Sequence, residues 1–187
     1  MRIRDLRPDD ATLIAQIAAM MVAAFRDHTP SWPDHESALD EVRESFAEDR
    51  ISRVALDDAG NAIGWIGGIR QYDGNVYELH PLVVDPARQG QGIGRALVAD
   101  LEAQVRRRGA STLWLGTDDE DGRTSLSGVD LYPDVWEHVR RIRNPGRHPY
   151  EFYQKCGFVI VGVLPDANGP GKPDILMAKR VAHWPKE

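Results

Sequence analysis

Glu78-Leu79-His80-Pro81-Leu82-Val83-Val84-Asp85-Pro86-Ala87-Arg88-Gln89-Gly90-Gln91-Gly92-Ile93-Gly94 runs an apolar segment into a glycine-rich turn that opens onto an amphipathic helix. Glycines let a backbone approach a ligand with no Cβ in the way. The first N–H groups of a helix, with the positive end of its dipole, supply anion-binding donors. The stretch therefore predicts a phosphate cradle between a strand and a helix. Gly90, Gly92 and Gly94 are spaced by two, which does not fit the dinucleotide pattern Gly-x-Gly-x-x-Gly, and no Lys-Ser/Thr pair follows to make a Walker loop. Pro81 cannot donate to a sheet ladder, so within a strand it predicts a bulge or local splay, where the N–H of Leu82 or a neighbour can reach a ligand carbonyl. The plainer reading is an edge strand with an ordinary turn.

Upstream of this stretch, Arg2 to Arg7 alternates as an opening strand. Asp9 or Asp10 can then cap a helix carrying Leu13, Ile17, Met20, Met21 and Ala24 at helical spacing. Thr29-Pro30-Ser31-Trp32-Pro33-Asp34 breaks that helix. A second, acidic helix follows with Leu39, Val42 and Phe46 as its apolar stripe and Asp40, Glu41, Glu44 and Glu48 on its outer face. Arg53 to Leu56 and Ala62 to Arg70 read as a hairpin turning at Asp57-Asp58-Ala59-Gly60-Asn61, and Val76 to Val84 as the next strand. Ile93, Leu97, Leu101 and Val105 recur every fourth residue up to Gly109, followed by a strand at Thr112 to Thr117. Leu131, Val135, Val139 and Ile142 mark another helix, and a short one starts near Pro149 and stops at Gly157. Phe158 to Leu164 and Asp174 to Val181 close the pattern. Strand, helix, hairpin and then strand-helix-strand units predict an α/β sheet with helices on both faces.

The 187 residues and 20.9 kDa fit one domain over 1–187, and 42% hydrophobic content suffices for a core. Leu13 to Phe25 is too short to span a bilayer, and Met1-Arg2-Ile3-Arg4-Asp5 lacks a signal-peptide hydrophobic region. A cytoplasmic protein with no membrane partner is expected. The lone Cys156 excludes an internal disulfide and gives no metal cluster, so no metal is expected. A net charge of −6 disfavours nucleic acid and suits a cationic small molecule.

Arg88-Gln89-Gly90-Gln91-Gly92-Ile93-Gly94 resembles the Gln/Arg-x-x-Gly-x-Gly/Ala pyrophosphate loop of the GCN5-related N-acetyltransferases, with Gln89, Gly92 and Gly94 at its fixed positions. Pro149-Tyr150-Glu151-Phe152-Tyr153-Gln154-Lys155-Cys156-Gly157-Phe158 is similar to that family's Phe-Tyr-x-Lys-x-Gly-Phe segment. Glu78 to Val84, Leu115-Gly116-Thr117-Asp118-Asp119, His148 to Tyr153 and Val161 to Gly169 resemble in particular the aminoglycoside 6′-N-acetyltransferases. The similarity runs from about Ile63 to Lys179, and upstream it is carried by Trp32-Pro33. The resemblance implies the family's fold, a mixed central sheet with splayed strands and helices on both faces. It also implies acetyl transfer from acetyl-CoA to the 6′-amine of a cationic aminosugar antibiotic, by direct attack in a ternary complex, and a homodimer. Leu82, Val84, Gln89, Gly90, Gly92, Gly94, Arg95 and Tyr153 would then contact acetyl-CoA.

The side chains can be read against that chemistry. An ammonium must lose a proton before it attacks a thioester, and Glu78 is the carboxylate nearest the proline; it can act as the base, directly or through water, or only bind the ammonium. The Leu82 N–H is placed to bind an oxyanion. Tyr153 is the candidate acid for the departing thiolate, or an aromatic packed under its helix. His80 is a secondary candidate that relays a proton or orients substrate, against a hydrogen-bonded structural role. His148 reads as a residue preceding the Pro149 helix, and Cys156 as core. Asp118 and Asp121 lie in an acidic run at a strand's carboxyl end, where polycationic sugars would be drawn, although such runs are commonly just solvated. Trp32 stacks on a sugar ring or anchors the proline-rich loop. The rival functions are acetylation of another amine, such as a polyamine or a protein N-terminus, and a noncatalytic acetyl-CoA sensor.

Overall fold

Alternation and glycine placement set the first half of the chain. In the computed structural model, which describes residues 1–183, the chain forms two compact units, residues 1–113 with the chain from Arg180, and residues 114–179. In the first unit, β1 (Arg2–Asp5), β2 (Arg50–Leu56), β3 (Ala62–Gln71) and β4 (Val76–Val84) form an antiparallel meander in chain order. The expected hairpin is present, with β2 starting three residues earlier than Arg53. Its turn is held by the Asp57 carboxylate, which accepts from the N–H groups of Ala59 at 3.0 Å and Asn61 at 2.9 Å.

Helix α1 (Ala11–Phe25) buries Leu13, Ile17, Met20 and Met21 as its spacing requires. Asp10 stands at its N-terminus but does not cap it: the carboxylate accepts from the Arg7 N–H at 2.9 Å and is gripped by the Arg4 guanidinium at 2.7 and 2.9 Å. The ion pair with a neighbouring strand outcompetes the local cap. Helix α2 (His35–Glu44) starts with a capping box, Ser37 N–H donating to Asp34 at 2.9 Å and the Asp34 N–H to Ser37 Oγ at 3.4 Å. Its inward face is Ala38, Val42 and Ser45, with Leu39 and Phe46 partly buried against the core. Glu41 is not on the outer face: its side chain is 15% exposed, one turn on from Ala38 and beside Val42. Trp65 is fully buried, its indole donating to Ser52 Oγ at 2.9 Å, and Ser45 Oγ and Ser52 Oγ are bonded at 2.8 Å. Helix α3 (Ile93–Arg107) buries the expected Ile93, Leu97, Leu101 and Val105, with Val98 beside them.

Strand β5 (Thr112–Asp118) leads into the second unit, where β6 (Val159–Leu164) and β7 (Asp174–Arg180) are antiparallel and the order is β5-β7-β6. The helix expected from Leu131 to Ile142 is shorter. A 3-10 turn at Tyr132–Asp134 precedes α4 (Val135–Arg140), because Pro133 lacks an N–H and the Asp134 carboxylate caps the Glu137 N–H at 3.2 Å. Helix α5 (Tyr150–Lys155) starts after Pro149 and is followed by Gly157 at φ 91°, as expected. Among the described residues no helix is long and apolar enough to cross a membrane.

Between Ile66 and Gly68 the β3–β4 register slips: Ile66 faces Leu82 while Gly68 faces Leu79. Strand β4 therefore carries one extra residue at His80-Pro81, the bulge that the proline predicts. A Cβ at Gly67 would collide with the His80 carbonyl. Gly67→Ala should cost about 1–3 kcal/mol of unfolding free energy in denaturant titrations, the range for overpacking a filled site; an unchanged midpoint and slope would refute the close approach.

Candidate active site

A bulge changes which residues share a face. Trp65 and Ile69, four apart on β3, lie on one side of the sheet, and their partners on β4 are Val83 and Glu78. Strict alternation would put an odd and an even position on opposite faces; the extra residue puts them on the same one. Trp65 belongs to the core under α1 and α2, so Glu78 projects on the α1/α2 side. There Gln71 Nε2 donates to Glu78 Oε2 at 2.6 Å. His80 lies on this side too, its Nε2 3.7 Å from Glu41 Oε1 and its ring 6.1 Å from that of Trp32. Leu82, paired with Ile66, belongs to the other parity.

The structure thus gathers three predicted residues, Glu78, His80 and Trp32, and adds two that the sequence reading missed, Gln71 and Glu41. Trp32 is at once a partly buried anchor, 4.9 Å from the Phe25 ring, and a neighbour of His80. Glu41 was legible only through the helical offset from Ala38, since its residue type argues for the outside.

The glycine turn follows directly from β4. Asp85 closes a 3-10 turn at Pro86–Arg88 by accepting the Ala87 N–H at 3.0 Å, and Arg88 reaches Asp57 at 3.4 Å. Gly90 and Gly92 adopt φ of 76° and 85°, and both are exposed with open space where a Cβ would stand. Gly92 is the residue before α3, so the N–H groups of Ile93, Gly94 and Arg95 form its first turn and have no acceptor four residues back. Gly94 is an ordinary helical residue, Arg95 is exposed, and Gln89 Nε2 donates to the carbonyl of the half-buried Val84 at 3.5 Å. Exposed helix-start donors behind left-handed glycines are what a pyrophosphate requires.

In the second unit Asp119 is fully buried and satisfied, accepting from Arg123 N–H at 2.6 Å, Thr124 N–H at 2.8 Å and Thr124 Oγ1 at 2.7 Å. Asp118 is exposed and receives Asn168 Nδ2 at 2.5 Å. Asp121 pairs with Arg123 at 2.7 Å. His148 is buried with both ring nitrogens engaged: Nε2–H donates to the Asp118 carbonyl at 2.9 Å, and Nδ1 accepts the Tyr150 N–H at 3.3 Å. It stands just before the Pro149 start of α5, where the sequence places it. Tyr153 stands edge-on to Phe152 and Phe158, at 5.1 and 5.8 Å, and desolvation, with a small push from Cys156, raises its phenol well above the tyrosine norm, so it stays protonated. Cys156 is half-buried at the end of α5.

Residues 17–126 match the model of the acetyltransferase (GNAT) family. The chain belongs to this family. It is an acyltransferase of the GNAT type, and the seven strands and the helices among the described residues follow the family's mixed α/β fold. The structure is similar to that of an aminoglycoside 6′-N-acetyltransferase complexed with coenzyme A, at 41% identity and TM-score 0.92, with 100% of both chains covered. It is also similar to the aminoglycoside 6′-N-acetyltransferase from Enterococcus faecium, at 41% identity and TM-score 0.89 over 100% of both chains. Over 65 residues it is 35% identical to the ribosomal protein bS18-alanine N-acetyltransferase of Escherichia coli K12, covering 35% of this chain. The chain spans 41% of the length of the curated relatives of that kind that it matches.

The two histidines differ in sign. Burial lowers the proton affinity of His148 below the ordinary 6.5, and its carbonyl and carboxylate neighbours only partly offset this. For His80 burial also works downward, but the Glu41 carboxylate 3.7 Å away and the charge of Glu78 outweigh it and Arg50, and the net shift is upward. The unfolded chain protonates His148 first as pH falls, so stability from keeping it neutral drains away below 6.5. Stability from His80 is complete below 6.5 and is lost as pH rises through its folded midpoint. Ring-resolved NMR titration should place the two midpoints on opposite sides of 6.5; the reverse order would contradict the two environments.

Proposed function

We propose that this chain is an aminoglycoside 6′-N-acetyltransferase that uses acetyl-CoA and transfers the acetyl group directly within a ternary complex. The observation that carries the reading is the identity of 41% with two such enzymes over the full length of every chain. The Gln89 to Arg95 segment, with Leu82 and Val84, holds the pyrophosphate and pantetheine of acetyl-CoA. Glu78 binds the 6′-ammonium and takes its proton, directly or through a water; a positioned base contributes about 10²–10⁴ in rate. The freed amine attacks the thioester carbonyl, the Leu82 N–H receives the developing oxyanion, and Tyr153 gives its phenolic proton to the leaving thiolate. Trp32, His80, Asp118 and Asp121 contact the sugar. Acetylation removes one cationic donor from the antibiotic, which confers resistance. In this reading residues 1–187 work as one acetyltransferase domain, in the cytoplasm and as a homodimer, without nucleic acid, membrane or metal.

The 65-residue similarity to an alanine N-acetyltransferase supports a second reading, a protein N-terminus as the amine. A thiol-release assay on 6′-amino aminoglycosides, polyamines and an Ala-starting peptide separates the two. Turnover confined to aminoglycosides is expected, and none with them would sink the first reading. Glu78→Gln should lower kcat/KM for the aminoglycoside by about 10²–10⁴ with acetyl-CoA affinity kept; near-normal kinetics would reject Glu78 as the base.

A further inference from the structure

We propose that Glu41 is the positioning residue of the amine-binding face, its carboxylate orienting the His80 ring and so fixing the wall against which Glu78 receives the ammonium. The inference rests on the acetyl-transfer reading of Glu78 and extends it to a residue on a different element.

Two basic side chains face the Glu41 carboxylate, and the Trp32 ring lies 6.1 Å from that of one of them, His80. His80 Nε2 lies 3.7 Å from Oε1, and Arg50 Nη1 lies 3.8 Å from the same oxygen. The remaining α2 carboxylates behave differently: Asp40 pairs with Arg43 at 61% exposure of both side chains, as a solvated surface pair does. Burying a carboxylate is costly unless it is bonded and paired, and on this helix an apolar side chain would fill the place beside Val42 without that cost. Had the purpose been only to tie α2 to β2, the Arg50 contact would suffice, since Arg50 also reaches Glu44 at 3.4 Å. The contact that remains unexplained is the one to His80. His80 is the more accessible partner, its side chain 41% exposed against 15% for Glu41, and it stands two residues from Glu78 on the same face of β4. Glu41 thus acts through the His80 ring.

The charged groups around His80 come from three elements: Glu41 from α2, Arg50 from β2 and Glu78 from β4 itself. Removing the Glu41 charge takes away the carboxylate nearest His80 and leaves the Arg50 charge beside it, which disfavours the imidazolium. The variant Glu41→Gln keeps size and hydrogen-bonding atoms and removes the charge. The KM for the amine should rise about tenfold or more, the scale of losing one close charge pair, with kcat and the KM for acetyl-CoA little changed. The NMR midpoint of His80 should fall. In a His80→Ala background Glu41→Gln should add no more than about twofold, because both act through one contact. An unchanged amine KM and His80 midpoint in Glu41→Gln would overturn the proposal. So would equal loss for both substrates with a lowered melting temperature, or a double variant with fully multiplied effects. The wild-type rate across the amine panel decides the acetyl-transfer reading. The ratio of variant to wild type, for whichever amine is acetylated, and the His80 midpoint decide the role of Glu41.

Discussion

The approach of Gly67 to the His80 carbonyl is the constraint on which the arrangement of the first unit depends. Only a residue without a Cβ admits it, and the strand opposite answers with one extra residue. From that single insertion the parity of β4 changes, so that Glu78 and Val83, five apart, face the same way. Val83 completes a core with Trp65, while Glu78 and His80, below the bulge, line the side from which α2 and Trp32 approach. A regular strand with the same residues would give either a buried Glu78 over α3 or a broken core at Val83. Apolar packing and presentation of a carboxylate therefore come from one backbone feature.

The same strand ends in a second backbone device. Gly90 and Gly92 take left-handed conformations that L-residues rarely adopt, turning the chain so that the first turn of α3 starts with its donors exposed. Nothing in this arrangement needs a charged side chain: Arg88 is engaged with Asp57 and Asp85. In the proposed reading anion affinity comes from oriented N–H groups and the helix dipole, which suits a net charge of −6, since the acidic surface elsewhere would attract a cationic amine while the turn accepts phosphates.

What could be read from the sequence follows a physical line. The glycine turn before α3, the stripe of α3 and the bulge at Pro81 were legible, because each is fixed by residues whose backbone or periodic demands are local. The shortened α4 hinged on competition between apolar spacing and the Pro133-Asp134 stop, which the periodicity alone does not weigh. Asp10 was drawn from its cap by Arg4, a partner on another element. Glu41 was misplaced for the same reason: its residue type says surface, and the nonlocal arrival of His80 and Arg50 makes burial tolerable. Local signals predicted elements, and partners distant in sequence decided which polar side chains turn inward.

His80 and His148 bring this to the level of a single proton. Both are substantially shielded from water, which by itself would push both toward neutrality. His148 spends its nitrogens on a carbonyl and an amide N–H, a pattern that the neutral ring alone satisfies because Nδ1 must accept. His80 instead faces the carboxylate of Glu41, with Glu78 two residues away, and is drawn toward the imidazolium. A ring that must stay neutral to keep its acceptor is locked into the loop that it supports. A ring whose charge is held by a carboxylate behind it can change state with pH at the surface where the cationic amine is proposed to bind. The two histidines are thus separated by which atoms meet their nitrogens, and burial does not distinguish them.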